Sequence, residues 1–430
     1  MARRAVSVRL TPFILFLATL ASCAPAESPN TLRFWAFGRE GEVVAELVRD
    51  FEREHPGVHV RVQQIPWSAA HEKLLTAHVG GALPDLAQMG NTWVPEMVTL
   101  DALASLDSLV RNSPGMDSGG HFPGVWATNV VDGRLYGIPW YVDTRVLFYR
   151  SDILARAGYA RMPENWAEWH AAMRAITRVM GPGHYAMYVP LNEWPPQVIL
   201  GLQQGSQLIT PQGYGAFADS SFARAFAFLM SLYHDRLAPP VSNNEVANLY
   251  QEFARGTFAM YITGPWNIGE FRRRLPPELQ RAWTTAPLPG PAGPESGVSL
   301  AGGSSLVVFR ASTHQALAWE LIRYLSRPEV QVRFYRLTGD LPARREAWAD
   351  STLADDREAQ AFRIELTRAV PTPMIPEWEE VTTKIMDQTE AAVRGGITAA
   401  QALAALDRDV NRLLERRRFL LARRGGNGGP

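Results

Sequence analysis

From residue 31 onward the spacing of apolar and polar positions changes period again and again. "TLRFWAFG" (31–38) is a strand-like run closed by glycine. "EGEVVAELVRDFEREHPG" (40–57) places Val43, Val44, Leu47, Val48 and Phe51 at helical spacing and stops at Pro56-Gly57. "VHVRVQQIP" (58–66) alternates as a strand does, residues 68–85 read as a helix ending at Gly80-Gly81, and "LAQMG" (86–90) is a short strand. This β-α-β-α-β order predicts a mostly parallel sheet with helices on its faces. Two strand-like runs and a helix fill 133–158, and a further helix covers 166–180. Residues 256–271 hold a strand turning into a helix, and the Pro/Gly-rich 281–297 reads as a crossing between lobes. "SLVVFRAS" is a strand, 314–326 a helix, and the remainder is helical to about residue 420.

The N-terminus follows a different rule. A short basic segment with Arg3, Arg4 and Arg9 precedes "LTPFILFLATLA", about a dozen apolar residues and too short to span a bilayer comfortably. Then comes "LASC". Leu20, Ala21, Ser22 and Cys23 together resemble a bacterial lipoprotein signal, which implies cleavage before Cys23, lipidation of its thiol and a flexible tether through "APAESPN". An ordinary secretory signal or a helical anchor is the alternative. No later run is long and apolar enough to cross a membrane.

Composition narrows the classes. The apolar fraction of 46% with 10% aromatics supports real cores and excludes global disorder. A formal net charge of zero gives no basic face for nucleic acid. Cys23 is the single cysteine, so no disulfide framework or Cys-rich zinc site is possible. Thirteen tryptophans exceed what a core needs, and many sit beside Pro, Gly or polar residues.

Seven phrases, in order, resemble the extracellular solute-binding proteins of carbohydrate ABC importers, the family that includes maltose- and trehalose-binding proteins. They are "FWAFG", "LVRDFEREHPGVHVRV", "KLLTAHVGGALPDLAQM", "YGIPWYVDTRVLFYRSDILARAG", "ENWAEW", "FARGTFAMYITGPW" and "GGSSLVV…ALAWELIRYLSRPE", spanning roughly 31 to 345. The resemblance implies an α/β, two-lobed periplasmic-binding-protein-like fold of the class II type, with a hinge and a sugar in the cleft between the lobes. The expected divisions are a signal at 1–22, Cys23 and tether at 23–30, lobe 1 at 31–141 plus 289–330, lobe 2 at 142–288 plus 331–424, and a loose tail at 425–430. It also implies a carbohydrate ligand, permease partners, a monomer held on the cell envelope by its N-terminal lipid, no cofactor, no metal and no chemistry.

A sugar offers hydroxyls on its rim and C–H groups on its faces, so a site for it wants flat aromatics and planar polar side chains in a dry, pre-oriented cleft. Trp67, Trp93, Trp140, Trp194, Trp266 and Trp378 are the candidate aromatics. Glu40, Asn91, Asp143, Glu193 and Arg344 are the candidate polar partners, and Gly302 and Gly303 let backbone N–H groups approach a ligand. Glu40 follows the first strand, where parallel-sheet sites form, though an acid there also suits a helix dipole. Asn91 and Trp93 follow another strand end. Asp143 belongs to the first crossing, with Arg145 expected to hold it. Glu193 and Trp194 precede a proline stop. Trp266 follows the turn "TGPW", where the resemblance implies a stacked ring, and Arg344 lies where relatives place an arginine near the sugar. Trp378 either caps the cleft or starts a helix. Asp85 reads as a turn or cap residue.

Rival readings remain. A glycosidase needs two carboxylates at a defined separation, and sequence alone pairs none. "HEKLLTAH" (71–78) puts Leu75 where a metalloprotease motif needs its second histidine. Keeping the fold, the solute becomes a glycerol phosphodiester or a polyamine; a sensor or adhesin role is a further option. The arginine-rich 415–424 reads best as a helix end complementing its dipole, with contact to anionic lipid headgroups as the alternative.

Overall fold

The computed structural model describes residues 30–426; the lipoprotein-like segment with Cys23, and residues 427–430, lie outside it. Thirteen strands form two main sheets and a small hairpin. In chain order they are β1 (Thr31–Phe37), β2 (His59–Ile65), β3 (Leu86–Gly90), β4 (Val130–Val131), β5 (Arg134–Leu135), β6 (Gly137–Asp143), β7 (Val146–Arg150), β8 (Tyr185–Tyr188), β9 (Phe258–Thr263), β10 (Trp283–Ala286), β11 (Leu300–Val308), β12 (Leu341–Pro342) and β13 (Val370–Pro371). The first sheet runs β12-β6-β11-β3-β1-β2, with β13 on β11, and the second runs β10-β7-β9-β8.

The opening β-α-β-α-β unit is parallel, as its periodicity predicts. Its helix Gly38–Glu54 buries Val43, Val44, Leu47, Val48 and Phe51, one apolar stripe laid on the sheet. The rest of the first sheet departs from the parallel expectation. β11 runs antiparallel to both β3 and β6, and β12 antiparallel to β6. The reason is connectivity. These strands leave for the second lobe or return from it, so no crossover helix forces them parallel.

The chain therefore passes between sheets at 143–146, at 286–300, and again after Pro342. The last passage corrects the expected boundary at 330. The helix Pro328–Thr338 stays with the first lobe, where Arg333 pairs with Asp50 and Glu46, and β12 extends the first sheet. The C-terminal helix, Glu415–Gly426, also takes in the first two residues of the expected tail.

Two apolar clusters fill the first lobe around β1, β3 and β11, and a larger one fills the second around Trp169, Met260 and Phe222. A fourth joins Val142, Ala301 and Leu341 to Phe148, Phe258 and Phe271, so the crossing strands are packed from both sides. Trp140, a candidate cleft aromatic, belongs to the first-lobe core. It is fully buried and stacks on Phe334 at 4.4 Å, because alternation along β6 turns it away from the cleft. Trp140→Ala is expected to cost about 3–5 kcal/mol, read as a lower denaturant midpoint with solute affinity of the remaining folded protein unchanged.

Candidate functional site: the cleft between the sheets

A cavity of about 570 Å³ lies where the C-terminal ends of β1, β3 and β6 face the second lobe. Strand ends of this kind leave unpaired backbone and point loop side chains outward, which is why sites form there. The first turn of the helix after β1 delivers Arg39 and Glu40, the turn after β3 delivers Asn91 and Trp93, and β6 delivers Tyr141, Asp143 and, just beyond, Arg145. β11 supplies Gly302 and Gly303 to the floor; Trp194, Trp266, Glu270, Arg273 and Glu379 form the opposite wall.

One wall is aromatic. Trp67 is 37% exposed and meets Phe37 edge-on at 5.2 Å and Trp93 at 5.6 Å. His71 packs tilted behind Trp93 at 4.9 Å and is held by Glu96 at 2.6 Å, a bond that raises the imidazole's pKa. Gly38 makes this wall possible. Its φ of +52° is left-handed, and an added Cβ would sit 2.5 Å from the Trp67 ring. Across the cleft, Trp266 is 38% exposed and carries the Arg145 guanidinium 4.6 Å above its ring. Gly264 is its counterpart to Gly38, since a Cβ there would overlap the Trp266 ring.

The floor is acidic and dry. The Tyr141 hydroxyl donates to Glu40 Oε1 at 2.7 Å and accepts from Gln88 Nε2 at 3.2 Å; Gln88 Oε1 accepts the Phe37 N–H. Burial raises the Glu40 carboxyl, against the pull of Tyr141 and Trp67. Asp340 rises well above the usual range, first through burial and then through repulsion from Glu40 and Asp143. Asp143 is raised by burial although Arg145 pairs with it. Burial and mutual repulsion thus make these carboxyls hold their protons to higher pH than free carboxyls do, so the floor offers both acceptor oxygens and carboxyl O–H groups to whatever enters.

The predicted residues divide. Glu40, Trp67, Asn91, Trp93, Asp143, Trp194, Trp266, Gly302 and Gly303 all line the cavity. Asn91 does so with its amide engaged elsewhere, donating to Thr128 and accepting from Ser305. Gly303 is required by the strand pair itself, because at φ +126° a Cβ would overlap the Tyr141 carbonyl. Glu193 lines only an adjoining recess and accepts from Asn243 at 2.7 Å and Tyr261 at 3.2 Å.

Two expectations are corrected. Trp378 is fully buried, edge-on to Trp194 at 5.8 Å, and backs that ring instead of capping the cleft. Arg344 is buried away from the cavity and donates to the Gly115 carbonyl, its strand-like backbone bridging to His121. Tyr141, Asp340 and Glu379 went unread. Tyr141 had a signal, two residues before Asp143 and so on the same strand face. Asp340 had none, since its place depends on β12 joining the first sheet.

A carboxyl whose pKa is raised by folding stabilises the native state only while protonated. That contribution is complete below the unfolded value of about 4 and is lost as pH rises through the native one. Asp340→Asn should therefore raise the thermal midpoint at neutral and higher pH, with the gain fading toward about pH 4. An equal gain at both ends of a pH series would contradict the burial argument. Gly264→Ala should push Trp266 off its position, read as a changed tryptophan emission spectrum with the fold retained by circular dichroism.

Comparisons with known proteins agree with this fold. Residues 38–332 match the family described as bacterial extracellular solute-binding protein. The sugar-binding protein MalE of the phytopathogen Xanthomonas citri is 49% identical in a structural superposition covering 91% of this chain and 99% of that one, with a TM-score of 0.87. The GacH receptor of Streptomyces glaucescens, solved unliganded and with acarbose, is 25% identical over 90% of this chain and 98% of that one, at a TM-score of 0.77. By sequence, the galactooligosaccharide-binding protein of Bacillus subtilis is 24% identical over 402 residues, 90% of this chain and 91% of the relative. The chain belongs to the bacterial extracellular solute-binding protein family.

Proposed function

We propose that the protein is the lipid-anchored receptor of a carbohydrate ABC importer, capturing a mono- or oligosaccharide and delivering it to a membrane permease. The observation that carries this reading is the cavity itself, with exposed Trp67 and Trp266 on opposite walls and the buried carboxyls of Glu40 and Asp340 beside the part-buried Asp143 on its floor. Flat rings suit C–H faces, and fixed acceptors suit the hydroxyl rim. The sugar-binding names of its relatives support the class. Capture works by population shift: a solute that touches Trp67 and Trp266 together favours the closed arrangement of lobes by its contacts to both. The protein carries no chemistry of its own in this reading. Cys23 supplies the anchor, and among the described residues no helix is long and apolar enough to cross a membrane.

The test is a thermal-shift panel of maltose, trehalose, sucrose, cellobiose, xylobiose, common monosaccharides, glycerol-3-phosphate and spermidine. A ligand at about 100 times its Kd adds about 2.7 kcal/mol, which is a few degrees for a chain of this size. A shift with a sugar supports the proposal; a shift with the phosphate or the amine alone keeps the fold and moves the function. Trp266→Ala should then weaken the identified sugar about tenfold or more, the scale of one lost aromatic contact and its buried area. Unchanged affinity by titration calorimetry would remove Trp266 from the site.

A further inference from the structure

The C-terminal arginines do more than finish a helix. The helices Ala399–Leu413 and Glu415–Gly426 run on from one another, with Leu414 N–H bonded to the Val410 carbonyl and Arg418 N–H to the Leu414 carbonyl. Their inner face is accounted for. Leu406, Val410 and Leu414 are buried, Arg417 pairs with Glu377 at 3.5 Å, and Arg418 lies 4.6 Å over Tyr214 while donating to the Gly213 carbonyl.

The outer face is not. At about 100° per residue, Arg408, Arg412, Arg416, Phe419, Leu420 and Arg423 fall within an arc of about 120°. All six are exposed, Phe419 to 60% and Leu420 to 49%. None of the four arginines has an ion-pair partner among the described residues; Arg423 packs instead on the Phe419 ring at 5.5 Å. From 408 to 423 the acids are Asp409, which lies within the arc and accepts from Gln388 at 3.1 Å, and Glu415 at its edge, against six arginines before Arg424, in a chain whose formal net charge is zero. The stripe extends about 22 Å along the axis at 1.5 Å per residue.

We infer that this face lies on an anionic lipid bilayer, with Phe419 and Leu420 entering the headgroup boundary and the four arginines bound to lipid phosphates. Long arginine stems flanking two adjacent bulky apolar side chains fit an interface that is charged outside and oily beneath. The contact would be a second membrane signal beside an N-terminal lipid, and it holds whether or not Cys23 is acylated.

The test uses the mature chain from residue 23 with Cys23→Ala, so that no lipid or signal segment contributes. Co-sedimentation is measured with phosphatidylcholine vesicles with and without phosphatidylglycerol, at low and high salt. The expected result is retention on the phosphatidylglycerol vesicles alone, weakened by salt. Arg408→Gln/Arg412→Gln/Arg416→Gln/Arg423→Gln should lower partitioning at least about tenfold, and Phe419→Ser/Leu420→Ser should lower it at unchanged charge. Neither set lines the cleft, so thermal midpoint and sugar affinity report folding separately and bear on the receptor reading alone. No retention on anionic vesicles at low salt would overturn the inference, including the case in which the face docks on the permease protein. Retention that survives the fourfold arginine change in a folded variant would overturn it equally.

Discussion

The antiparallel pairing of β6 with β11 is the constraint on which the rest of the molecule depends. Gly302 sits opposite Asp143 and Gly303 opposite Val142, and two of the three passages between lobes leave from the ends of these two strands. The same strands carry Tyr141, Asp143 and the glycine backbone that make the cleft floor. Hinge and floor are thus one piece of backbone. Gly303 shows how tight that piece is: no side chain fits against the Tyr141 carbonyl at that φ. The neighbouring apolar cluster, from Val142 to Phe148 and Leu341, fixes where the strands bend.

The energetics of the floor run against stability. Glu40 and Asp340 are buried and Asp143 is part-buried, and of the three only Asp143 has a cationic partner among the described residues. Tyr141, itself held by Gln88, bonds Glu40 into place without supplying a countercharge. A core built for stability alone would hold apolar side chains here. Polar groups held in place against the solvent's pull are what a binding site needs, since little reorganisation is then left for the ligand to drive. The surrounding cores of the two lobes offset the cost.

Much of this was legible in the chain. The first helix and its flanking strands follow from periodicity, because Val43, Val44, Leu47, Val48 and Phe51 have one face to bury and nothing else to do. Trp67, Trp93 and Trp266 stood out for being large and apolar beside turn residues, and all three line the cleft. Local pattern failed where long-range pairing decided. Trp140 and Tyr141 are adjacent in sequence and point to opposite faces of β6, which no spacing rule distinguishes until the sheet's two faces are known. Trp378 resembles an exposed helix start and is buried by the second-lobe core. The antiparallel return of β11 and the late crossing after Pro342 both come from tertiary connections that single-segment reading does not reach.

The Arg145 guanidinium over Trp266 places a side chain of the protein itself on one aromatic face of the cleft. Arg145 extends from the hinge strand and is tied there by Asp143, while Trp266 belongs to the opposite wall, so the stacked pair spans the gap a solute would bridge. A solute ring that takes the same face of Trp266 enters by substitution, and the affinity measured is the difference between two stacking partners. The released guanidinium stays within reach through its Asp143 tether, available to donate to the newcomer's oxygens. On the proposed reading selectivity becomes a contest with a built-in competitor: stacking on Trp266 contributes only by what it adds beyond the guanidinium it displaces.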